Sequence, residues 1–211
     1  MERNADFDEI SDGRRYGPND MVKAGCRNCE GCHDCCMGMG NSVVLDPFDV
    51  YRMTMGTRKS FMDLIALKKI ALNVYNGIIL PALAMEGSEE KCGFLNEQGR
   101  CSIHNIRPGI CRLFPLGRIY REDGFDYFLQ VNECSRQRRT KVKVRQWIDT
   151  AGFPEYDAFV MEWHDKIKSL QNEVAGMSDE DVKALNMDML NRYYIKAYSD
   201  SKSFYEQFME R

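Results

Sequence analysis

Cys26-Arg-Asn-Cys29-Glu-Gly-Cys32-His-Asp-Cys35-Cys36 packs five of the chain's nine cysteines into eleven residues. Cys26, Cys29, Cys32 and Cys35 recur at every third position, and Cys36 adds a vicinal thiol. A Cys-x2-Cys unit turns two thiolates toward one ion through a tight turn, and zinc sites usually combine two such units across a longer stretch. Iron–sulfur cubanes use the denser Cys-x2-Cys-x2-Cys form with one remote cysteine. The spacing here is the dense form. Four more cysteines follow within 43 residues, each in a turn setting: Cys92 before Gly93, Cys101 after Gly99-Arg100, Cys111 after Pro108-Gly109, and Cys134 at the end of an expected hairpin. An isolated cysteine of this kind is ordinarily a buried core thiol, but four of them downstream of a five-cysteine cluster point to metal ligation. A single zinc ion has no use for nine thiolates, so two four-thiolate centres, or one cluster with a separate zinc, account for the count better. The candidate ligands are therefore Cys26, Cys29, Cys32, Cys35, Cys36, Cys92, Cys101, Cys111 and Cys134.

The rest of the composition sets the context for those thiols. At 211 residues the chain is long enough to bury a core without disulfides as staples. Hydrophobic residues at 44% and charged residues at 29% are the proportions of an ordinary globular protein. The net charge of −3 generates no global field toward nucleic acid or membrane, and neither is expected as a partner. Met1 to Asp12 is polar and acidic, unlike an export signal. The longest apolar run, Ile78 to Met85, contains Pro81 and falls far short of a membrane span. A cytoplasmic location is expected, in a reducing compartment where disulfides are rare. There a dense cysteine pattern indicates metal or redox chemistry, and Cys35-Cys36 would close a strained ring if joined to each other.

The expected fold class is α+β and mainly helical: an irregular cysteine-rich metal core with a small β-hairpin and a C-terminal helical subdomain. The division expected is a polar lead-in over 1–25, a cysteine-cluster metal-binding domain over 26–135 and a helical subdomain over 136–211. Ser42 to Leu45 reads as a short strand, and Asp46-Pro47 as the N-cap and first position of a helix. A second helix is expected from about Thr57 to Asn76, and an edge strand over 78–85 bent at Pro81. Gly117 to Val131 reads as a hairpin around Glu-Asp-Gly. Helices are expected over 136–150, over 155–175, and from Ser178 onward. In the second of these, Phe159, Val160, Trp163, Ile167, Leu170 and Val174 share one face. Trp147, Trp163 and Leu170 are expected to be buried.

Other residues near the thiols carry weaker signals. His33 is read as exposed, His104 as a supporting or packing residue and His164 as structural. Arg107 and Arg112 bracket Cys111, and either neutralise the thiolates or pair with Asp46 or Asp49. Six basic residues between Arg136 and Arg145 read as a solvated helix face. No catalytic carboxylate stands out among the 32 acidic residues.

Six separated blocks then match a known pattern: Cys29-x2-Cys32-x2-Cys35-Cys36, Asp46-x2-Asp49-x2-Arg52, Cys92-x-Phe94-Leu95, Gly99-x-Cys101-Ser-Ile103, Arg107-Pro108-x2-Cys111-Arg112-x-Phe114-Pro115, and Cys134. In this order they resemble the YkgJ-type cysteine-cluster family over about residues 26 to 150. The resemblance implies zinc or iron chelation through Cys29, Cys32, Cys35, Cys36, Cys92, Cys101, Cys111 and Cys134, with Cys26 outside the usual pattern. A more distant similarity runs to the cysteine-rich part of flagellin lysine N-methylases, which are associated with an iron–sulfur centre; no Gly-rich nucleotide loop accompanies it here. Three functions stay open. The favoured one is an iron–sulfur protein with a 4Fe-4S cluster. The others are a zinc-stabilised interaction module that binds a protein partner through its C-terminal helices, and a metal-dependent, methylase-like modification enzyme.

Overall fold

A computed structural model describes residues 6–26, 32–136 and 138–211; Cys29 and the first five residues of the lead-in lie outside them. The lead-in forms a short helix, α1 (Phe7–Ile10), and a strand, β1 (Met21–Gly25). After a 3-10 turn at Asp34–Cys36, helix α2 (Pro47–Thr57) starts as its sequence indicates. Asp46 Oδ1 accepts the Asp49 amide at 2.8 Å and Asp49 Oδ2 accepts the Asp46 amide at 3.3 Å, so each satisfies a donor the helix end leaves free. Ser60 and Asp63 form the same reciprocal cap on α3 (Phe61–Ala66).

The long helix expected to Asn76 ends there instead. Lys68 adopts a left-handed φ of 54°, and the chain continues as an antiparallel hairpin, β2 (Ile70–Tyr75) and β3 (Ile78–Leu83). Its turn is Asn76-Gly77, with φ of 49° and 83°. Both central residues of a two-residue hairpin turn need positive φ, which Asn-Gly provides cheaply; this dipeptide outweighs the apolar spacing that suggested a helix. Ser42 to Leu45 forms only a single bridge, Val44 to Ala82, with Leu45 N donating to Pro81 O at 2.9 Å. The proline is tolerated in β3 because only its carbonyl is used there.

Strands β4 (Met85–Glu86) and β5 (Lys91–Cys92), a 3-10 turn at His104–Ile106 and helix α4 (Gly109–Leu113) follow, with Cys92 in β5, Cys111 in α4 and Cys101 in an isolated bridge to Leu95. The expected hairpin follows as β6 (Leu116–Arg121) and β7 (Gly124–Leu129), in register from Leu116 opposite Leu129 to Arg121 opposite Gly124. The helix expected over 136–150 is displaced at its start: Thr140–Lys143 forms β8, antiparallel to β1, and helix α5 begins only at Val144 (Val144–Ile148). The basic stretch is drawn into a strand because β1 presents an open edge to it, and no local pattern reports such a partner. Helices α6 (Phe153–Val174), α7 (Asp179–Leu190) and α8 (Phe204–Met209) complete the chain, with Ser178 Oγ accepting the Asp181 amide ahead of α7.

The fold is thus α+β and mainly helical, with small two-stranded antiparallel sheets. Buried residues from Tyr16 to Phe208 form one hydrophobic cluster. On α6, Phe159, Val160, Trp163 and Val174 are buried, while Ile167 and Leu170, like Trp147 on α5, are partly buried against the same cluster. The Asn76-Gly77 turn docks beneath α7: Asn186 Oδ1 accepts the Ile79 amide at 2.6 Å, and its Nδ2 donates to Gly77 O at 2.9 Å. Among the described residues, no helix is long and apolar enough to cross a membrane. Trp163 packs edge-on to Tyr193 and Tyr194 at centroid distances of 5.2 and 6.0 Å. Trp163→Ala is expected to lower unfolding free energy by about 3–5 kcal/mol, read as a reduced urea midpoint by circular dichroism.

Candidate metal centre

Helix α4 places Cys111, and α2 holds α4 in position. Asp49, 2% exposed, accepts the Gly109 amide on Oδ1 at 2.6 Å. One turn further along α2, Arg52 Nη2 donates to Asn105 O at 2.8 Å. Together the two side chains grip the 105–109 loop immediately before Cys111. Gly109 is required by this close approach, because a Cβ there would strike the Tyr156 hydroxyl. Arg112, 3% exposed, turns away from the thiols: Nε donates to Arg107 O at 3.2 Å, Nη1 donates to Thr150 Oγ1, and the guanidinium lies 5.2 Å from the Tyr156 ring centre. Burial raises the Asp49 pKa and the Arg112 charge opposes that rise. The two arginines beside Cys111 therefore divide their roles. Arg112 serves the carboxylate, whereas Arg107 lies within electrostatic reach of Cys35 and Cys101.

The Cys35-Cys36 turn is fixed against β5. Cys36 N donates to His33 O at 2.8 Å, Met37 bridges to Lys91, and Gly38 N donates to Glu90 O at 3.1 Å, which sets Cys36 beside Cys92. Cys101 reaches the same volume through the Asn96–Gly99 turn, where Asn96 Oδ1 accepts the amides of Gln98 at 3.1 Å and Arg100 at 2.8 Å. Cys36 interacts electrostatically with Cys35, Cys101 and Cys92, and Cys111 with Cys35, Cys92 and Cys101. Five thiols from four segments thus share one region.

A second grouping lies next to it. Cys134 interacts electrostatically with Cys26 and Cys32, and a cavity of about 20 Å³ is lined by Cys26, Cys32, Cys35 and Cys134 between Phe114 and Trp147. Ser135 Oγ lies 4.0 Å from Cys32 Sγ and donates to Asp34. Among the described residues, no three Cys, His, Asp or Glu side chains close onto one point at single-ion distance. Cys29, the remaining cysteine, lies outside the described residues.

The polypeptide points donors at several of these sulfurs. The Cys92 thiol receives a hydrogen bond from the Phe94 amide, Cys101 from Ile103 and Cys134 from Arg136, in each case the amide two residues on. Burial raises the pKa of all three, and the amides counter it by stabilising the thiolate. Cys111 is raised well above an ordinary thiol by burial, reinforced by the neighbouring thiols. Cys35 moves the other way, to about 7, chiefly because it accepts a hydrogen bond from Cys36, whose own pKa is pushed up. These amide–sulfur contacts were invisible in the sequence except as the repeated pairing of a cysteine with a turn.

The histidines contribute little to the thiol region. His33 is exposed, His104 shares hydrogen bonds with Arg107 at 2.8 and 3.0 Å, and His164 stacks on Tyr120 with centroids 3.6 Å apart.

A small α+β frame that gathers partly buried cysteines from distant segments, three of them hydrogen-bonded by backbone amides, is the frame of a thiol-based metal-chelating protein. The chain belongs to the CxxCxxCC family, described as "Putative zinc- or iron-chelating domain", whose model matches residues 28–142. No curated protein and no solved structure matches it.

Two outcomes follow from this geometry. In metal-free protein Cys35 should alkylate with a half-maximal rate near pH 7, while Cys111 labels only at higher pH, as read by mass spectrometry of iodoacetamide-treated peptides. Because folding lowers the Cys35 pKa, its thiolate adds stability fully above the unfolded thiol pKa of about 9, and that increment is lost as pH falls through about 7. Asp49→Ala strands the Gly109 amide and removes one of the two buried carboxyls, with Asp46, that face Arg112, a loss of about 1–3 kcal/mol or more. Urea denaturation measures that loss, and bound metal should fall in the same variant.

Proposed function

We propose that this chain is an iron–sulfur protein whose cluster, a 4Fe-4S centre, is ligated by Cys36, Cys92, Cys101 and Cys111, with Cys35 beside them. The observation that carries the reading is the gathering of five thiols, two of them held by backbone amides, in one partly buried region next to the Arg107 guanidinium. Five thiols exceed the four positions of a tetrahedral zinc, whereas a cluster of several irons spreads its ligands over a wider volume. When bound, such a cluster supplies one-electron transfer chemistry. The chain's own groups hold the thiolates and balance negative charge through Arg107 and the Phe94 and Ile103 amides.

Residues 26–135 form the metal-binding domain on this reading, after the 1–25 lead-in, and residues 136–211 form a helical scaffold that also offers the surface for a protein partner. The compartment proposed is the cytoplasm, where the thiols stay reduced. The vicinal Cys35-Cys36 pair favours a second reading, a zinc-stabilised interaction module, since adjacent thiolates suit bridging between two zinc ions.

Purification without oxygen, followed by iron and acid-labile sulfide analysis, separates the two. The expected result is a brown protein with about four irons and about four sulfides per chain, reducible to a paramagnetic state. Cys111→Ser should lose most of that colour. Stoichiometric zinc, negligible iron and sulfide, and a colourless sample would establish the zinc reading instead.

A further inference from the structure

We propose that the outward face and open edge of the β1–β8 ribbon dock an acidic, extended segment of a partner protein. The inference names a face and a chemistry for the protein partner proposed above, and it does not rest on which metal the thiols hold. It starts from the strand register, in which Met21 opposes Lys143 and Val22 opposes Val142. Directly opposed residues share a face, and successive residues alternate between faces. Val22 and Ala24 point into the core, 1% and 0% exposed. The other face therefore carries Met21, Lys23, Lys141 and Lys143, with Arg138 and Arg145 exposed just beyond the two ends of β8. Among the described residues, none of Lys23, Arg138, Lys141, Lys143 and Arg145 pairs with a carboxylate. Elsewhere on the surface Lys69, Lys91, Arg121, Arg192 and Lys202 each do. Asp20, immediately before β1, turns its carboxylate back onto the Gly17 amide at 2.7 Å. The ribbon thus presents like charges without counter-charges, and a carboxylate-bearing partner relieves their mutual repulsion.

The backbone selects a polypeptide as that partner. Strand β8 pairs with β1 alone, and no backbone hydrogen bond among the described residues covers its other edge. An open edge accepts another chain in extended form, with backbone pairing giving affinity and alternate side chains giving selectivity. Lysines along the edge repel a second copy of the same ribbon and admit a strand that carries Asp or Glu. Met21, 49% exposed among the lysines, adds an apolar contact. Nucleic acid fits less well, because it cannot pair with a strand edge. Residues 138–145 also contain no aromatic ring on which a base could stack, and the net charge of −3 gives no long-range attraction for a polyanion. The ribbon ends at Gly25, next to Cys26, and Arg139 reaches Cys134 electrostatically, so a docked segment ends beside the thiol region.

The test is fluorescence anisotropy of the full chain, purified without oxygen, with a labelled peptide of about ten residues alternating glutamate and threonine. This peptide should bind, and its lysine–threonine counterpart should not. Lys141→Glu combined with Lys143→Glu should weaken binding about tenfold or more, while Lys183→Glu on α7 leaves it unchanged. Hydrogen exchange at residues 140–143 should slow on binding. A peptide of the same charge, N-methylated at alternate residues so that one edge lacks its donors, should bind about tenfold more weakly. These last two readings need no variant, so they decide even if charge reversal unfolds the ribbon. No binding, unslowed exchange, or full binding by the folded charge-reversed variant would overturn the proposal. So would a single-stranded oligonucleotide that binds more tightly than the acidic peptide. Iron, zinc and sulfide contents should match wild type in every variant, so failure here leaves the metal reading to its own test.

Discussion

The hydrogen bond from the Gly109 amide to Asp49 is the contact on which the site's geometry depends. It joins two motif blocks that are 60 residues apart, and it does so inside the core, where neither partner can exchange the other for water. Helix α4 has only five residues, too few to hold itself in place. Its position is imposed by α2, through Asp49 and Arg52, and by the Tyr156 hydroxyl pressed against Gly109. Cys111 inherits that position.

Helix α4 also separates two polar regions that would interfere if mixed. Successive residues on a helix point about 100° apart, so Cys111 faces the thiols while Arg112 faces Asp49, Thr150 and the Tyr156 ring. Were both guanidiniums directed at the sulfurs, the buried Asp49 would lose the cation that most opposes the cost of its burial, leaving Arg52 to act in its place. Of the two, Arg107 lies near the thiols, where Arg100 beside Cys101 and Lys69 beside Cys92 add positive charge.

The aromatic core connects this arrangement to the C-terminal helices. Phe48, the neighbour of Asp49, lies 5.0 Å from the Phe204 ring and 5.5 Å from Tyr156. Phe159 on α6 meets Phe204 and Phe208 at 5.0 and 4.9 Å. Tyr194 donates to Leu45 O at 3.0 Å, directly before the cap of α2. The cysteine-free third of the chain therefore sets the rigidity of the helix that positions Cys111, although it brings no ligand of its own.

The features legible in the sequence are those with local causes. Asp46-Pro47 caps α2, Ser178 caps α7, the β6–β7 hairpin forms in its expected place, and the apolar face of α6 is buried at Phe159, Val160 and Trp163, because each depends on residues within a few positions of one another. The Asn76-Gly77 turn was equally local and was masked by helical spacing. What the cysteine spacing alone determined is that thiol-rich segments recur in the order of a zinc- or iron-chelating family. Tertiary structure alone decided that Thr140–Lys143 is a strand, that Asp49 and Arg52 are a brace rather than partners of the thiols, and how the cysteines divide between two neighbouring groups. The reason is physical: strand pairing, buried hydrogen bonds and the approach of charges across 60 to 100 residues are set by which surfaces meet, and no period or motif within one segment encodes that meeting.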